Sequence, residues 1–402
     1  MLLVSKFGGT SLSCADQFAK VKAIINADPA RRVVVVSALG KRQPTDNKLT
    51  DLFFSVFENR SQSTYYNALW QEIITRFMTV KNELGLKYDV ASELQRIQDG
   101  LAARHLTLDY LVSRGEYLTA RLMAEYLDYE FFDAKDLIIF DPLGEVDFVA
   151  SYARIKALIP RDKKVIIPGF YGADHAGDIK LFSRGGSDIT GAIIAAGLGA
   201  DKYENFTDVP GVLMVDPRIV NNPLPIPELT YDEMSQIAAM GAEVLHRKSV
   251  APVQQAGIPV NIKNTNDPLA PGTLITCSSS KSSGLIGIFG KKDFTCLTFA
   301  TRKSLSVISA FFEGYDIKIE HSRVDDEHVQ VLISTVDIKY RFEQIIKELK
   351  LEVGVQLVES KEGFSLVKIF DHDESVNSVM IVATVEYAET IRDLYDQLVL
   401  GA

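Results

Sequence analysis

The sequence predicts an α/β fold with a mainly parallel sheet, followed by a smaller α+β region, and two observations support this. From residue 1 to about 215, short apolar runs alternate with helical stretches, a pattern typical of parallel strands covered by helices. After about residue 293, β-branched runs lie closer together and the helices between them are short. We therefore expect two regions, residues 1–292 and 293–402, with the Pro-Gly and Ser-rich stretch 271–284 as a boundary loop.

The beginning of the chain predicts a strand, a helix and a second strand. Residues 2–7 and 32–39 read as buried strands whose carboxyl ends open into loops. Between them, residues 15–26 carry apolar side chains at helical spacing, which suits a crossover helix. Together they form a right-handed βαβ unit.

A long helical segment follows. Residues 64–128 contain no Pro and show helical spacing, for example at Leu69, Ile73 and Phe77, so we expect a helical subdomain or lid at about residues 60–128. Further strands are predicted at residues 137–141, 164–170 and 203–209, with a helix at 192–198.

The sequence of residues 293–402 predicts two small βα modules, each too short to be a catalytic domain. Amphipathic helices are expected at residues 340–351 and 388–400. The strands of these modules are predicted at residues 294–300, 328–334, 364–369 and 378–383.

Composition excludes several classes of function. The chain has 402 residues, 47% hydrophobic and 24% charged, with a net charge of −10, which disfavours a nucleic-acid or anionic-membrane binder. Its 3 cysteines and 6 histidines are scattered without metal-ligand spacing, so we expect no disulfide framework and no protein-held metal site. With no export signal and no long apolar run, a cytoplasmic, non-membrane protein is expected.

The first candidate site is the motif KFGGTS at residues 6–11, for which two interpretations remain open. It can be a tight turn that leaves a buried strand. It can also bind an anion, because glycine N–H groups approach a phosphate closely, Thr10 and Ser11 are suitable caps for the next helix, and Lys6 lies where open α/β sheets place ligands.

A second loop of the same kind, SRGGSDIT at residues 183–190, combines glycines and hydroxyls with Arg184 and Asp188. Alone it can be a turn with an N-cap Ser or Asp. Two such loops, each opening a helix after a strand, favour a double anion site. An α-amino acid carries both a carboxylate and an ammonium group, and the two loops offer a partner for each.

Three further segments are ambiguous when taken alone. SRGE at residues 113–116 can be an ordinary helix start between two helical stretches, and TDVPG at 207–211 with DPR at 216–218 can be simple turns. The functional alternative for the latter is a strand-end loop lining a nucleotide pocket. The charged stretch 41–48 predicts a solvated loop.

In this order, KFGGTS, VVVSA, SRGE, PGF, SRGGSD, TDVPG, DPR and GAEVLH resemble the aspartate kinase family across about residues 1–292. The resemblance implies an amino-acid-kinase-type αβα sandwich. It also implies that MgATP phosphorylates the side-chain carboxylate of L-aspartate to 4-phospho-L-aspartate, the first step toward lysine, threonine and methionine. ATP and Mg²⁺ are thus the expected cofactors, and such chemistry needs positioning and positive charge more than a general base.

The resemblance also assigns roles to individual residues. Lys6 would balance charge on the transferred phosphoryl group, with N–H donors from Gly8 and Gly9 beside it. Glu116 would hold the substrate's ammonium group, and Arg184 would clamp its α-carboxylate. The aspartate pocket would further contain Ser37, Thr50, Phe170, Ser187 and Asp188, and the nucleotide would face Thr207, Asp208 and Arg218.

The sequence departs from the family pattern in the motif GAEVLHRK at residues 241–248. Glu243 stands where many members have a nucleotide-side lysine, and Arg247 stands where they have proline. We expect Arg218, with Lys248 as a second candidate, to supply the missing positive charge.

The tail at 293–402 resembles the paired ACT regulatory modules of this family, of ferredoxin-like α+β type, but its helices are shorter. The likeness implies a homodimer through these modules and lysine or threonine as effector. Two rival functions remain: another acyl-phosphate-forming kinase, for glutamate or acetylglutamate, and a catalytically inactive amino-acid sensor.

Overall fold

The computed structural model describes residues 1–60, 63–183, 185–242, 245, 247–278, 283–301 and 303–401, without the side chains of Ser63 and Arg247. The chain divides into two compact units. The first contains residues 1–212, 225–238 and 244–280, and the second contains 213–224, 239–243 and 281–402.

The predicted α/β fold with a mainly parallel sheet is confirmed in the first unit. Among the described residues, an 8-stranded sheet has the order β3-β5-β2-β1-β8-β10-β11-β9, and a 3-stranded sheet has the order β4-β6-β7. Over the described part of the large sheet, only the β10–β11 pair is antiparallel. The strands are β1 (Leu3–Phe7), β2 (Arg31–Val36), β3 (Glu130–Phe131), β4 (Ile139–Phe140), β5 (Val165–Pro168), β6 (Tyr171–Asp174), β7 (Ile179–Leu181), β8 (Lys202–Thr207), β9 (Glu228–Thr230), β10 (Val260–Asn264) and β11 (Thr273–Thr276).

The strand order determines where a ligand can bind. The next strand along the chain, β2, lies on one side of β1, and β8 lies on its other side. The order in which the strands are connected therefore reverses between β1 and β8. Open α/β sheets bind ligands at the carboxyl ends of the strands at such a point. Lys6 and Thr207 lie at or next to the carboxyl ends of these two strands.

Helices cover the sheet and form a helical segment after β2. The predicted crossover helix is found with its predicted bounds, and Leu69, Ile73 and Phe77 are buried in the core as their spacing predicts. The helices are α1 (Ala15–Asn26), α2 (Leu49–Glu58), α3 (Ser63–Glu83), α4 (Val90–Ala102), α5 (Leu108–Leu127), α6 (Phe148–Leu158), α7 (Gly186–Leu198), α8 (Tyr231–Ala239) and α9 (Arg247–Gln255).

The interpretation of residues 113–116 as a break between two helices is wrong. They lie in the middle of α5, which is continuous and buried along much of its length. Glycine suits position 115 because a Cβ atom there would lie only 3.0 Å from the Cβ atom of Ala38. The glycine allows close packing and does not end the helix.

The second unit contains an antiparallel sheet that, over the described residues, has 5 strands in the order β13-β14-β12-β15-β16. β12 and β15 have 16 residues each and pair with each other along their length. Helices pack on this sheet around two apolar clusters. The elements are β12 (Leu285–Ala300), α10 (Leu305–Gly314), β13 (Ile319–Val324), β14 (His328–Ser334), α11 (Thr335–Ile338), α12 (Phe342–Glu348), β15 (Gln356–Asp371), β16 (Ser378–Ala383) and α13 (Tyr387–Tyr395).

A segment from the middle of the chain belongs to this second unit. Residues 213–224 contribute Val215 to the apolar cluster around α13, and the N–H of Leu224 donates to the hydroxyl of Tyr395 at 2.9 Å. The DPR motif therefore belongs to the second unit.

Within the described part of the chain, no helix has both the length and the apolarity to cross a membrane.

Candidate active site

The KFGGTS motif leaves β1 and enters a 3-10 helix, Gly9–Leu12. The N–H of Gly8 donates to the carbonyl oxygen of Phe206 at 3.0 Å. The prediction that both glycines supply donors to a phosphate is therefore wrong for Gly8, because strand β8 already uses that group. Gly9 lies close to the loop after β2, since a Cβ atom on Gly40 would lie 2.1 Å from the carbonyl oxygen of Gly9.

Thr10 and Ser11 do not cap the following helix, contrary to expectation. Helix α1 begins after Cys14, whose side chain makes no capping hydrogen bond. The hydroxyl of Ser11 lies 2.6 Å from the hydroxyl of Thr265 and is buried. Ser11 thus ties the loop to the end of β10.

Lys6 and Asp188 form an ion pair that joins the two glycine-containing loops. The Nζ atom of Lys6 lies 2.6 Å from Oδ1 of Asp188, and the two side chains are 9% and 23% exposed. The side-chain Nδ2 of Asn205 donates to the same oxygen at 2.7 Å. The sequence predicted that these loops cooperate, and the structure brings Lys6 and Asp188 into direct contact.

Helix α7 starts in the second loop. Its N-cap is Gly185, at a φ of 58°, and no side chain caps the helix, so the interpretation of this loop as a Ser or Asp cap is wrong. The first N–H groups of a helix have no partner within it and favour a negative charge nearby. The loop thus offers anion-binding N–H groups beside the ammonium group of Lys6.

The backbone at Gly169 and Phe170 lies close to this helix start, where Gly169 meets Ser187 and Phe170 meets Gly186. A Cβ atom on Gly169 would lie 2.6 Å from the hydroxyl oxygen of Ser187, so glycine is required for the two loops to meet. Phe170 adopts a φ of 76°, in the left-handed region that costs free energy for a bulky residue. Its N–H donates to the hydroxyl of Thr190 at 3.1 Å, which helps to hold this backbone.

Glu116 is a buried carboxyl group in the interior of α5. It is 4% exposed, and its Oε2 atom has no hydrogen-bond partner among the described residues. Burial raises the pKa of Glu116 to about 8, against the opposing effects of backbone hydrogen bonds, including one with Ala38, and of the Arg114 charge. Ala38 also lies beside Gly9, so the Glu116 carboxyl group and the KFGGTS loop share this neighbour.

Two further predicted substrate residues lie at the two ends of the segment that connects β2 to α2. The N–H of Ser37 donates to the carbonyl of Phe7 at 3.1 Å, which fixes Ser37 just beyond the end of β2. Thr50 is the second residue of α2 and is half-buried. Between them, Asp46 is buried in the stretch predicted as a solvated loop, which is therefore anchored at this point.

The residues predicted to face the nucleotide are spread over both units. The hydroxyl of Thr207 donates to Asp208 at 3.2 Å, and Lys248 is exposed near the start of α9. In the second unit, Arg218 donates from Nε and Nη2 to the carboxylate of Asp216 at 2.8 to 3.1 Å.

Part of the predicted site lies outside the described residues. This applies to Arg184, to Glu243 and to the side chain of Arg247. The predicted α-carboxylate clamp and the departures from the family motif at 241–248 therefore remain predictions.

Sequence reasoning missed Asn205. The residue is 2% exposed and lies opposite Lys6 in the parallel pairing of β1 and β8. A possible signal was available, because Asn205 is a polar residue inside a short strand that a central sheet position buries on both faces. The motif TDVPG begins only two residues later, at Thr207.

The residues that form this site lie within a segment that matches a known family. The model of the Amino acid kinase family matches residues 1–264. The chain therefore belongs to the amino acid kinase family, and the expected αβα sandwich is confirmed.

Known proteins identify the branch of this family. The aspartokinase 3 of Bacillus subtilis is 39% identical over 352 residues, which cover 80% of this chain and 76% of that protein. The crystal structure of the aspartate kinase of Clostridium acetobutylicum, described as an allosteric enzyme, has a TM-score of 0.86 at 34% identity and covers 98% of both chains. Within the family the chain is an aspartokinase, a phosphotransferase with a carboxyl group as acceptor.

Two structures of the Escherichia coli aspartokinase III show the same fold at 24% identity. They cover 99% of this chain and 99% and 100% of their own, with TM-scores of 0.74 and 0.75. One contains lysine and aspartate, and the other contains aspartate and ADP.

Proposed function

We propose that the first unit phosphorylates the side-chain carboxylate of L-aspartate with MgATP, and that Lys6, Asp188 and Glu116 carry the reaction. The observation that carries this proposal is the Lys6–Asp188 ion pair at the carboxyl end of β1, next to the N-terminus of α7. A cation and a helix start together suit a phosphoryl group that develops negative charge.

The residues fit the reacting groups as follows. Lys6 and the N–H groups at the loop ends, with Gly9 in place of the expected glycine pair, neutralise the oxygens of the phosphoryl group. The aspartate side chain needs no general base, because it is already ionised near neutral pH. Asp188 holds the ammonium group of Lys6 in place before the nucleotide binds.

Glu116 receives the ammonium group of the substrate. Its buried carboxyl group has an oxygen without a partner, and an incoming cation would favour the charged form that burial disfavours. Arg184 would clamp the α-carboxylate, and Ser37, Thr50, Phe170 and Ser187 would line the pocket around the substrate.

In this proposal the nucleotide contacts Thr207, Asp208 and Lys248 of the first unit, and the expected contribution of Arg218 remains a prediction. Among the described residues no group of three or more His, Cys, Asp or Glu side chains is placed to hold a metal ion. Protein sites for Mg²⁺ commonly use one or two carboxylates together with phosphate oxygens, so Asp208 would suffice. Mg²⁺ would supply charge neutralisation on the phosphates.

The same proposal assigns the domains. Residues 1–292 form the catalytic domain, with a helical lid at about 60–128, and residues 293–402 form the paired ACT-like modules. The antiparallel sheet of the second unit supports a separate C-terminal region, but that unit also contains residues 213–224, 239–243 and 281–292, and its strand β12 begins at Leu285, before the proposed boundary. The free thiols of all 3 cysteines are compatible with a reducing cytoplasm.

Assembly and regulation belong to the second unit in this proposal. β16 is an edge strand, and its Val379 and Ile381 are 40% and 42% exposed, which favours pairing with a second copy. Lysine or threonine would act there as effector. Light scattering measures the mass of the assembly, and assays with each amino acid measure its effect on the rate.

Lys6→Ala tests the proposed chemistry. We expect turnover to fall by at least about a hundredfold, because a charge partner of the transition state is lost. The acyl phosphate is trapped as a hydroxamate, with L-aspartate, L-glutamate and N-acetylglutamate compared as acceptors. We expect ATP-dependent product with L-aspartate alone.

Lys20→Ala provides the matched control, because Lys20 is exposed on α1 and contacts Asn266. This variant should retain the activity of the wild type. A folded Lys6→Ala variant with nearly normal turnover would refute the role of Lys6, and product with another acceptor would refute the substrate assignment.

A further inference from the structure

Asn205 is a buried amide in contact with the central ion pair. Its Nδ2 atom donates to Oδ1 of Asp188 at 2.7 Å, and Nζ of Lys6 lies 2.6 Å from the same oxygen. One carboxylate oxygen therefore has two donors, of which one is charged and one is neutral.

The strand register explains how these groups meet. Lys6 and Asn205 are opposite each other on the parallel strands β1 and β8, and opposite residues of neighbouring strands project to the same face of a sheet. A buried amide costs free energy unless it is hydrogen-bonded. Its contact with Asp188 is therefore the feature that makes asparagine favourable at this position.

β8 also holds the backbone of Asp188. The hydroxyl of Tyr203 donates to the carbonyl oxygen of Asp188 at 3.1 Å, and Tyr203 is fully buried. Strand β8 thus fixes Asp188 at its main chain through Tyr203 and at its side chain through Asn205. Neither contact involves Lys6.

We infer that Asn205 is a positioning residue that keeps the Asp188 carboxylate in place while Lys6 turns from it to the phosphoryl group being transferred. The inference rests on the proposed function of Lys6. As the phosphoryl group draws the ammonium of Lys6 away, Asp188 loses its charged partner and is repelled by the phosphoryl oxygens. A neutral donor holds the carboxylate without competing for that negative charge.

Asn205→Leu removes the donor and keeps a side chain of similar size. We expect kcat to fall about 10- to 100-fold, since small displacements of catalytic groups have effects of this order. The KM values for aspartate and ATP should stay within about threefold of the wild type, because the lost contact acts on the transition state.

The pH dependence of kcat in the Asn205→Asp variant distinguishes a positioning role from a structural defect, because a structural defect would not change this dependence. Two carboxyl groups at this distance cannot both ionise readily, so one of them takes up a proton at a much higher pH than usual. Once protonated, the introduced group donates again to Asp188. We expect the ratio of kcat in this variant to kcat in the wild type to rise as the pH is lowered from 9 to about 6.

Asn261→Leu is the matched control, because Asn261 lies on the neighbouring strand β10 and undergoes the same substitution. Its kcat should stay near that of the wild type. Equal losses in the two leucine variants, or a pH-independent ratio for Asn205→Asp, would overturn the positioning role. If Asn205→Leu does not fold, the pH-dependent ratio of Asn205→Asp decides.

The experiments distinguish a failure of the inference about Asn205 from a failure of the proposed function. A folded wild-type protein without ATP-dependent phosphoryl transfer to aspartate overturns the function itself. An active wild type with unaffected Asn205 variants overturns only the inference about Asn205.

Discussion

Two buried carboxyl groups of the first unit, Asp46 and Glu116, have opposite surroundings. Asp46 accepts hydrogen bonds from the N–H and the guanidinium of Arg42 at 2.8 to 3.2 Å, and Arg76 lies 3.7 Å away. These contacts, with that to the Arg42 side chain the largest, hold the pKa of Asp46 well below its usual range. Glu116 lacks a partner for one oxygen, and burial raises its pKa to about 8.

The difference separates a structural acid from a binding acid. The charge of Asp46 is compensated within the fold, whereas the charge of Glu116 requires a cation from outside. Burial alone therefore does not mark a functional carboxyl group. Burial combined with a missing partner does, and the two kinds of acid should respond to pH in opposite ways.

The largest expected effect is on the stability of Glu116→Gln as a function of pH. Folded wild type retains a proton on Glu116 up to pH about 8, whereas the unfolded chain releases it near pH 4.3. The stability of the wild type relative to the variant should therefore fall by about 1.4 kcal/mol for each pH unit between pH 5 and 8. Chemical unfolding followed by the fluorescence of Trp70, the 1 tryptophan of the chain, measures it within this unit.

Glu83→Gln serves as the control for this experiment, because Glu83 is exposed at the end of α3. Its stability relative to the wild type should not change over the same pH range. A constant difference between Glu116→Gln and the wild type would show that Glu116 is ionised in the free protein.

A smaller effect of opposite sign is expected for Asp46→Asn. The folded protein binds the proton of Asp46 less readily than the unfolded chain, so the wild type should be more stable at neutral pH, by about 1 to 2 kcal/mol. This advantage should disappear as the pH falls below about 4, the unfolded value. Unfolding followed by Trp70, which lies on the same helix as Arg76, detects the change.

Glu72→Gln tests whether this effect depends on Asp46 itself. Glu72 bonds Arg76 at 2.7 Å, but its side chain is 33% exposed. Such an i,i+4 pair contributes about 0.5 kcal/mol or less. A loss in Glu72→Gln as large as that in Asp46→Asn would contradict the assignment of Asp46 as the anchor of its loop.

The sequence predicted those parts of the site that depend on local pattern. Lys6 and Asp188 were expected in cooperating loops because each loop follows a strand and opens a helix, and the two side chains are in contact. The second loop, however, follows β7 of the 3-stranded sheet, which the sequence pattern did not separate from the parallel sheet. The crossover helix α1 was also predicted with its bounds, since its apolar spacing is regular.

The errors have a common physical cause, which is contact between residues far apart in the chain. Gly115 looked like a helix break, yet close packing against Ala38 keeps it inside α5. The N–H of Gly8 looked available to a ligand, yet Phe206 accepts it. Asn205 was missed because its contact with Asp188 depends on the register between β1 and β8, although a polar residue inside a buried strand could have marked it.

The pH dependence of kcat/KM for aspartate, in the wild type and in Glu116→Gln, tests the central claim most directly. Glu116 must be ionised to bind the substrate's ammonium group, so kcat/KM of the wild type should rise about tenfold per pH unit below 8 and level off above it. The Glu116→Gln variant should have a lower kcat/KM that lacks this rise. Parallel curves for the two proteins between pH 6 and 9 would contradict the assignment of Glu116 as the ammonium site.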